Sequence, residues 1–439
     1  MDDKPQRLPL YLPAQGATET EAVIIEWCLD AGDHFEKGQV LCHAESAKSV
    51  FDFRAPCSGV VVRLLHMDGE TASFAEPVME VETSDSGMVN WIPPAAEAAP
   101  AEARDKAIRL LANNERSPQE VLIRGVGGYL PKRVVTNAEI VNGFPQTSPD
   151  YIFEVTGVRE RRWAADDEKP SDMALAASLD ALRKSAVAPK EIDALIVCTT
   201  TPDVAMPSTA CILQDRLRLD SVPAFDLNAA CSGWLYGVSM AHAMIVAGMA
   251  RNVLTVGVDL QSRLLDPADR NTLFIFGDGA GAAVVSAAGP GHPVRRIILG
   301  TDARGLRLAR RDEPGYFVDQ GPAGADPWIR LDRQPLFRYA TEGFAFVIRQ
   351  AMAVTGWTAE ETRWVIPHQA NARMLKAAAK RCGVAFERFF MNIERVGNTS
   401  SASIPLALIE AESSLQPGDK IVLCSVGAGL TTAAVTLEW

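Results

Sequence analysis

The first eighty or so residues alternate apolar and polar positions in short runs, the pattern of β-strands with one buried face. Turns containing glycine separate the runs, because glycine reaches positive φ without a steric cost. The predicted strands are Ala22–Trp27, Val40–Ala44, Ser49–Arg54, Gly59–Leu65 and Pro77–Val81. We therefore expect a small all-β domain over residues 1–82.

The pattern disappears between residues 83 and 118. Pro93–Arg104 consists almost entirely of Ala, Pro and Glu, a composition that offers little apolar surface to bury. We expect a semi-extended linker here, with one short helix at Lys106–Glu115.

From residue 119 to 439, apolar runs of strand length alternate with Ala- and Leu-rich segments at helical spacing. The predicted strands are Ala194–Thr200, Val253–Val258, Gly281–Ser286, Trp364–Ile366 and Ile421–Ser425. The predicted helices include Ser171–Ser185 and Gly343–Val354. Strands that alternate with helices predict a layered α/β domain whose sheets are covered by helices.

The charge and composition of the chain argue against several classes of partner and site. The net charge is −12 over 439 residues, which argues against nucleic acid or an anionic membrane as the main partner. No apolar run is long enough to cross a bilayer, and the N-terminus lacks the apolar segment of a secretion signal. The eight cysteines show no paired spacing, which favours reduced thiols in the cytoplasm over disulfides or a metal site.

Cys231 is the first candidate for chemistry. It lies between an apolar run at Val222–Leu227, predicted to be a buried strand, and a helical segment at Gly233–Ala247. A thiol at a helix start faces free N–H groups and the positive end of the helix dipole, and both favour a nucleophilic thiolate. For any single cysteine the alternative is an inert buried thiol.

Three later motifs strengthen this candidate. His368 follows the apolar run Val365–Pro367, Asn398 lies in the loop Arg395–Pro405, and Gly427-Ala428-Gly429 follows a predicted strand. In this order, the motifs resemble β-ketoacyl-acyl-carrier-protein synthase III over residues 121–439. The resemblance implies a thiolase fold, in which layers of sheet and helix are built from two duplicated halves.

The resemblance also implies roles for these residues. Cys231 would carry the acyl group as a thioester, with an oxyanion hole formed by its own N–H and one from Gly427, Ala428 or Gly429. His368 and Asn398 would assist decarboxylation of a malonyl thioester on phosphopantetheine by donating hydrogen bonds to its carbonyl oxygen.

The residues expected to bind coenzyme depart from the family pattern at one position. The resemblance places coenzyme or phosphopantetheine contacts at Tyr151, Arg270 and Asn371. Val155 stands where the family has an arginine, which removes a partner for phosphate or adenine and predicts a poor coenzyme A donor site. Met206 matches a residue that bounds the partner subunit's acyl pocket, so a homodimer is expected.

A basic helix face follows His368. Arg373, Lys376 and Lys380 are spaced i, i+3 and i+7, which puts them on one side of a helix. This face fits docking of an acidic acyl carrier protein, with an ordinary solvated helix surface as the alternative.

The N-terminal strands resemble a lipoyl domain, with Glu45-Ser-Ala-Lys48-Ser49 at a hairpin turn. By that resemblance Lys48 is the attachment residue for lipoate. Ala47 and Ser49 depart from the family pattern, and the methionines that flank a biotinyl lysine are missing, which disfavours biotin. The alternative is an unmodified Lys48 on a purely structural domain.

These observations favour a decarboxylative condensing enzyme, an acyltransferase that makes a 3-oxoacyl group on acyl carrier protein. Its acyl donor would be a thioester on lipoyl, coenzyme A or carrier protein. Delivery by the fused lipoyl-type domain would require loading by a 2-oxo-acid- or thiamine-dependent enzyme. Two alternatives are transfer of the Cys231-bound acyl group to an alcohol or amine, and a non-catalytic carrier or scaffold subunit.

Overall fold

A computed structural model of the protein describes residues 6–13, 21–46, 49–74, 76–85, 120–312 and 326–439. The chain divides into two compact units, Met1–Ala107 and Ile108–Trp439. Lys48 lies outside the described residues. So does the predicted linker, apart from residues 83–85, together with its predicted helix.

The first unit contains two four-stranded sheets with apolar side chains between them. Its strands are β1 (Gln6–Tyr11), β2 (Glu21–Trp27), β3 (His34–Phe35), β4 (Val40–Ser46), β5 (Val50–Arg54), β6 (Gly59–Leu64), β7 (Thr71–Ser73) and β8 (Pro77–Thr83). The strand orders are β1-β8-β6-β3 and β5-β4-β2-β7. Leu10, Ile24, Leu41 and Phe53 are buried between the sheets. The prediction of a small all-β unit is confirmed.

The second unit is organised around a nine-stranded sheet in the order β13-β12-β14-β15-β9-β16-β21-β20-β19. The strands of the unit are β9 (Leu122–Tyr129), β10 (Arg133–Thr136), β11 (Glu160–Trp163), β12 (Ala194–Cys198), β13 (Ala224–Leu227), β14 (Asn252–Asp259), β15 (Gly279–Ser286), β16 (His292–Thr301), β17 (Ala309–Arg310), β18 (Arg330–Leu331), β19 (Thr362–Pro367), β20 (Lys420–Gly427) and β21 (Thr431–Glu438). The pairs β10–β11 and β17–β18 form separate two-stranded ribbons.

Helices cover both faces of this sheet. They are α1 (Asn137–Ile140), α2 (Pro149–Thr156), α3 (Pro170–Ser185), α4 (Thr209–Leu217), α5 (Gly233–Val246), α6 (Arg270–Leu273), α7 (Arg333–Thr355), α8 (Ala372–Cys382), α9 (Ile393–Val396) and α10 (Ser403–Ala411). Helices α5 and α10 share one apolar core with strands from both ends of the sheet. Helices α3 and α4 cover the opposite face of the first strands, and α7 and α8 cover that of the last strands.

The two halves of the sheet repeat one pattern. Strand β12 runs parallel to β14, and β14, β15 and β9 then pair antiparallel. In the same way β19 runs parallel to β20, and β20, β21 and β16 pair antiparallel. Helix α5 precedes β14 and α10 precedes β20, so these helices occupy equivalent places. The predicted duplicated α/β architecture is therefore confirmed.

Strand β13 differs from its prediction. The apolar run at Val222–Leu227 was expected to form a buried strand, but β13 lies at an edge of the sheet and all four of its residues are partly exposed. An edge strand has one neighbour only, which leaves one row of its backbone groups without a strand partner among the described residues.

The charged stretch Thr301–Arg338 packs beside the loop before α6. Its ribbon β17–β18 is tied to that loop by Arg330, whose Nη1 lies 2.7 Å from Asp266 Oδ2, and by Ile329 N, which donates to Leu264 O at 2.9 Å. Residues 313–325 within this stretch lie outside the described residues.

Candidate active site

Cys231 lies where the sequence places it, between a strand and a helix. Strand β13 ends at Leu227, a 3₁₀ turn spans Ala230–Ser232, and α5 begins at Gly233. Ala230 has a φ of +49°, a conformation that L-residues rarely adopt. The carbonyl oxygen of Cys231 accepts a hydrogen bond from Ser425 Oγ at 3.0 Å, which fixes the turn against β20.

The Cys231 thiol is neutral rather than ionised. Burial raises the pKa of Cys231 to about 12, a hydrogen bond from Ser400 lowers this pKa, and the carboxylate of Asp259 raises it further. The expectation that the helix start produces a thiolate is therefore wrong for this structure. Loss of hydration is the largest cause of the raised pKa.

His368 follows β19 directly and is 1% exposed. Its Nδ1 lies 2.7 Å from Ser403 Oγ, and that hydroxyl donates to Ser400 O at 2.8 Å. Because a hydroxyl has one proton to donate, this network places the ring proton on Nδ1 and leaves Nε2 as an acceptor. Burial lowers the pKa of His368 to about 3, so the imidazole is neutral.

Asn398 lies in the loop that leads into α10 and is 6% exposed. Its Oδ1 accepts a hydrogen bond from Ser400 N at 2.9 Å, which orients the carboxamide. Its backbone is held on both sides, since Asn398 N donates to Ile275 O and Gly277 N donates to Asn398 O, each at 2.9 Å. A methyl group at Gly277 would lie 2.4 Å from Val396 O, so this close approach requires glycine.

The segment Gly427-Ala428-Gly429 lies against the Cys231 turn. A methyl group at Gly427 would lie 2.6 Å from Thr431 Oγ1 and 3.0 Å from Cys231 N. Thr431 Oγ1 also donates to Ala229 O at 3.0 Å. The backbone of this segment and the N–H of Cys231 therefore lie within one small region.

One loop connects the three predicted catalytic residues. Ser400 Oγ donates to Cys231 Sγ at 3.6 Å, Ser400 N donates to Asn398, and Ser400 O accepts from Ser403, the partner of His368. The structure thus brings together the thiol, the imidazole and the carboxamide. The arrangement offers a nucleophile, a proton acceptor and a hydrogen-bond donor, which suits acyl transfer.

Sequence reasoning missed the residues that hold this loop. Ser400 and Ser403 are described above. Asp259 is fully buried and accepts from Ser401 N and Oγ at 3.0 and 2.7 Å and from Thr200 N at 2.7 Å. The available signal was the polar run 399–403 just before an apolar helix, which we interpreted only as a loop.

The predicted coenzyme residues lie on three elements. Tyr151 is 40% exposed on α2, and Arg270 is exposed at the first position of α6. Asn371 begins α8: its Oδ1 accepts from Arg373 N and Met374 N, and its Nδ2 donates to Val155 O at 3.0 Å. Asn371 therefore joins α2 to α8, and its contact with a ligand stays a prediction.

The other predicted residues lie at the surface. Met206 is 87% exposed. Arg373, Lys376 and Lys380 are exposed along one side of α8, opposite a buried side that includes Met374 and Leu375. Near the lysine predicted to carry lipoate, β4 and β5 pair up to Glu45 and Val50, while Lys48 itself lies outside the described residues.

The part of the chain that the structure describes contains neither a membrane-spanning helix nor a cluster of metal ligands. No helix there is long and apolar enough to span a membrane. No group of three or more His, Cys, Asp or Glu side chains there could hold a metal ion.

Family models match both units. Models described as "3-Oxoacyl-[acyl-carrier-protein (ACP)] synthase III" and its C-terminal part match residues 225–303 and 352–439. A model named Biotin_lipoyl and described as "Biotin-requiring enzyme" matches residues 9–81. The N-terminal unit is therefore of the biotinyl/lipoyl type, in agreement with its two antiparallel sheets.

Individual relatives cover the second unit almost completely. The chain is 40% identical over 323 residues to beta-ketoacyl-[acyl-carrier-protein] synthase III of Agrobacterium fabrum, which spans 72% of this chain and 99% of that relative. The crystal structure of the protein of that name from Thermus thermophilus is 40% identical with a TM-score of 0.68, covering 72% of this chain and 98% of the other. A priming beta-ketosynthase from a polyketide biosynthetic pathway is 33% identical with a TM-score of 0.68, covering 74% and 98%. The chain belongs to the β-ketoacyl-acyl-carrier-protein synthase III family of acyltransferases, with a biotinyl/lipoyl-type unit at its N-terminus.

Proposed function

We propose that this chain catalyses a decarboxylative Claisen condensation. An acyl group on Cys231 is joined to a malonyl-type thioester on acyl carrier protein, which gives 3-oxoacyl carrier protein and carbon dioxide. The observation that supports this function is the convergence of Cys231, His368 and Asn398 on the loop around Ser400.

The first step is acylation of Cys231. The thiol is protonated and the imidazole is neutral, so Nε2 of His368 can accept the thiol proton as the sulfur attacks the donor carbonyl. A bond forms from Sγ to the carbonyl carbon, the bond from that carbon to the donor sulfur breaks, and the donor leaves as a thiol with the proton. The N–H groups of Cys231 and of Gly427-Ala428-Gly429 stabilise the transient oxyanion.

The second step is decarboxylation of the malonyl thioester, which places negative charge on the thioester oxygen. The oxygen of the Asn398 carboxamide is engaged by Ser400 N, so its Nδ2 is the donor for this oxygen. His368 donates from Nε2, which requires the other neutral tautomer. To reach this tautomer the ring loses its Nδ1 proton to water and takes up one proton at Nε2 from water between the two steps. The hydroxyl of Ser403 then rotates its proton from Ser400 O toward Nδ1 and holds the ring in this tautomer.

The third step forms the carbon–carbon bond. The enolate carbon attacks the acyl carbonyl, and the bond from that carbonyl to Cys231 Sγ breaks. The departing thiolate takes up one proton, so each turnover consumes a proton and releases one carbon dioxide. Burial raises the pKa of Cys231 and therefore favours this return to the thiol.

We further propose that the acyl donor is carried on lipoate at Lys48. Val155 in place of an arginine supports a carrier-bound donor over coenzyme A. A 2-oxo-acid- or thiamine-dependent enzyme would load the arm, with the lipoyl disulfide as oxidant. Each delivery leaves a dithiol, so the cycle also requires an enzyme that oxidises dithiols. Attachment within one chain raises the effective concentration of the acyl group at Cys231.

Two partners belong to the same proposal. Acyl carrier protein docks on the exposed basic face of α8, formed by Arg373, Lys376 and Lys380. A second copy of the chain pairs through the edge strand β13, with the exposed Met206 reaching the partner subunit's acyl pocket.

We place the protein in the cytoplasm, where its eight free thiols stay reduced.

The test separates acylation from condensation. Intact-mass measurement of protein from a lipoylating host, before and after incubation with acyl donors, shows whether Lys48 and Cys231 are loaded. Release of labelled carbon dioxide from malonyl carrier protein then reports condensation. Acyl-Cys231 that releases no carbon dioxide and instead acylates an alcohol or amine would contradict the proposed condensation.

A further inference from the structure

Ser400 is linked by hydrogen bonds to all three candidate catalytic residues, directly to Cys231 and Asn398 and through Ser403 to His368. Its hydroxyl donates to Cys231 Sγ at 3.6 Å, and its N–H donates to Asn398 Oδ1 at 2.9 Å. Its carbonyl oxygen accepts from Ser403 Oγ at 2.8 Å, and Ser403 Oγ lies 2.7 Å from His368 Nδ1. Ser400 itself is 2% exposed, so water does not compete freely for these hydrogen bonds.

The backbone of Ser400 is strained. Its φ of +51° lies in the left-handed region, where a residue with a side chain is uncommon and glycine costs nothing. Four other described non-glycine residues have a positive φ: Ala186 and Arg218 end helices α3 and α4, while Ala230 and Leu430 adjoin the turn and the glycine segment beside the thiol. Such strain persists where the surrounding contacts over-determine it, and it is common at active sites.

The loop has other anchors that do not involve the hydroxyl of Ser400. Ser401 is bound to the buried carboxylate of Asp259 through both N and Oγ, and Asn398 is held by the backbone of Ile275 and Gly277. The hydroxyl of Thr399 is buried and has no hydrogen-bond partner among the described residues. The loop therefore does not need the hydroxyl of Ser400 to keep its position, and Thr399 supplies a matched neighbour for comparison.

We propose that Ser400 is a positioning residue of the condensation reaction, whose hydroxyl orients the sulfur of Cys231 for attack and stabilises it by a hydrogen bond while it is anionic. The charged group that acts on this sulfur is the carboxylate of Asp259, which opposes the anion. A hydrogen bond to an anionic atom is stronger than one to a neutral atom. Ser400 therefore contributes most when sulfur carries charge, that is, during attack and when the acyl group leaves. This inference rests on the proposed role of Cys231 as the nucleophile.

The test uses the full chain with Ser400→Gly, Ser400→Ala and the control Thr399→Val. The readout is the rate at which iodoacetamide alkylates Cys231 at pH 8, followed by mass spectrometry of the Cys231 peptide. Alkylation needs the thiolate but no carrier substrate. We expect both Ser400 variants to react about tenfold more slowly, which corresponds to a thiol pKa higher by about one unit, while Thr399→Val reacts like the wild type.

Thermal unfolding distinguishes positioning from a structural role. Glycine suits a φ of +51°, so Ser400→Gly should keep or raise the unfolding temperature while it slows alkylation. Unchanged alkylation in both Ser400 variants would overturn the inference, and so would loss of the folded state in both. If the wild type makes no 3-oxoacyl product and the Ser400 variants are still alkylated more slowly, the action of Ser400 on the sulfur of Cys231 is supported and the proposed condensation is contradicted.

Discussion

At the scale of single residues, the reacting groups are neutral in the resting protein. Burial favours the uncharged form of every titratable side chain, so it raises the pKa of Cys231 to about 12 and lowers that of His368 to about 3. A thiol and a neutral imidazole can exchange a proton during the reaction without a charged pair at rest. Reactivity then depends on where the proton acceptor and the hydrogen-bond donors are placed, which is why the serines around Cys231 matter.

The neutral state of His368 predicts a pH dependence of stability. Its pKa is about 3 in the folded chain and 6.5 in an unfolded one, so the unfolded state binds more protons between these values. The free energy of unfolding should fall by roughly 1.4 kcal/mol for each pH unit below 6.5 because of this residue. His368→Asn removes this contribution, so the variant should gain about 2 kcal/mol relative to wild type between pH 6.5 and 5.

Denaturant unfolding of the second unit at several pH values measures this difference. His34→Asn is the control, because His34 lies in the first unit and is exposed. Identical pH dependence of unfolding for wild type and His368→Asn would show that His368 does not resist protonation in the folded chain.

The sequence predicted the positions of Cys231, His368 and Asn398 on their elements but not the charge of the thiol or the serines that contact it. A helix start is visible in sequence, whereas burial depends on which distant segments pack over the residue. Ser400 contacts Cys231 across 169 positions of the chain, and local pattern carries no signal for such a contact. The glycine and serine composition of the loop predicted its irregular backbone only.

At the scale of elements, the sequence predicted strands that are continuous apolar runs, but it did not predict a strand that contains several glycines. Strand β14 was predicted as Val253–Val258 and spans Asn252–Asp259. Strand β9, near the middle of the sheet, was missed because Gly125, Gly127 and Gly128 interrupt its apolar pattern. These glycines have a packing reason: a methyl group at Gly127 would lie 2.2 Å from Ala181 N of α3. The close packing of helices on the sheet requires glycine at these positions. The apolar side chains whose pattern would predict a strand are therefore missing from β9.

The segment Gly427-Ala428-Gly429 at the end of β20 gives a second prediction. In Gly427→Ala the new methyl group meets Thr431 Oγ1 and the N–H of Cys231, so the segment must move away from the thiol. We expect acylation of Cys231 to slow by roughly a hundredfold, the usual effect of losing an oxyanion donor. Single-turnover loading measured by intact mass gives this rate.

Gly143→Ala is the matched control, because a methyl group there meets no atom within 4 Å. The control should load at the wild-type rate. Wild-type loading by Gly427→Ala would place the oxyanion donors elsewhere.

Helix α8 gives a third prediction. Glutamate at Arg373 or Lys376 replaces attraction to an acidic carrier protein by repulsion, so KM for malonyl carrier protein should rise about five- to tenfold per residue at low salt. The rise should shrink at high salt because the charges are exposed and screened. KM for a small malonyl thioester should not change.

Lys190→Glu provides the control for charge alone, since Lys190 is an exposed lysine outside α8. An equal rise of KM in Lys190→Glu would indicate a general charge effect and no docking face on α8.

At the scale of the whole molecule, duplication explains why the site lies where it does. Helices α5 and α10 occupy equivalent places in the two halves and share one core. Cys231 precedes α5 and the loop 398–402 precedes α10, so the packing of the two helices brings both helix starts to one place. Each half therefore supplies one side of the candidate site, Cys231 from the first and the loop with Asn398 from the second.

The proposed delivery of the acyl group by the fused N-terminal unit gives the last prediction, because such delivery would be a reaction within one chain. Transfer from lipoyl-Lys48 to Cys231 should have a first-order rate that is independent of protein concentration over about a hundredfold range. The comparison mixes two chains that each lack one group, a loaded Cys231→Ala chain and a Lys48→Arg chain. Transfer between them needs an encounter, so its rate should rise in proportion to concentration and fall below the intact chain under dilute conditions. Should the intact chain show the same concentration dependence as the mixture, fusion would not serve delivery, and the unit would be a carrier for some other enzyme.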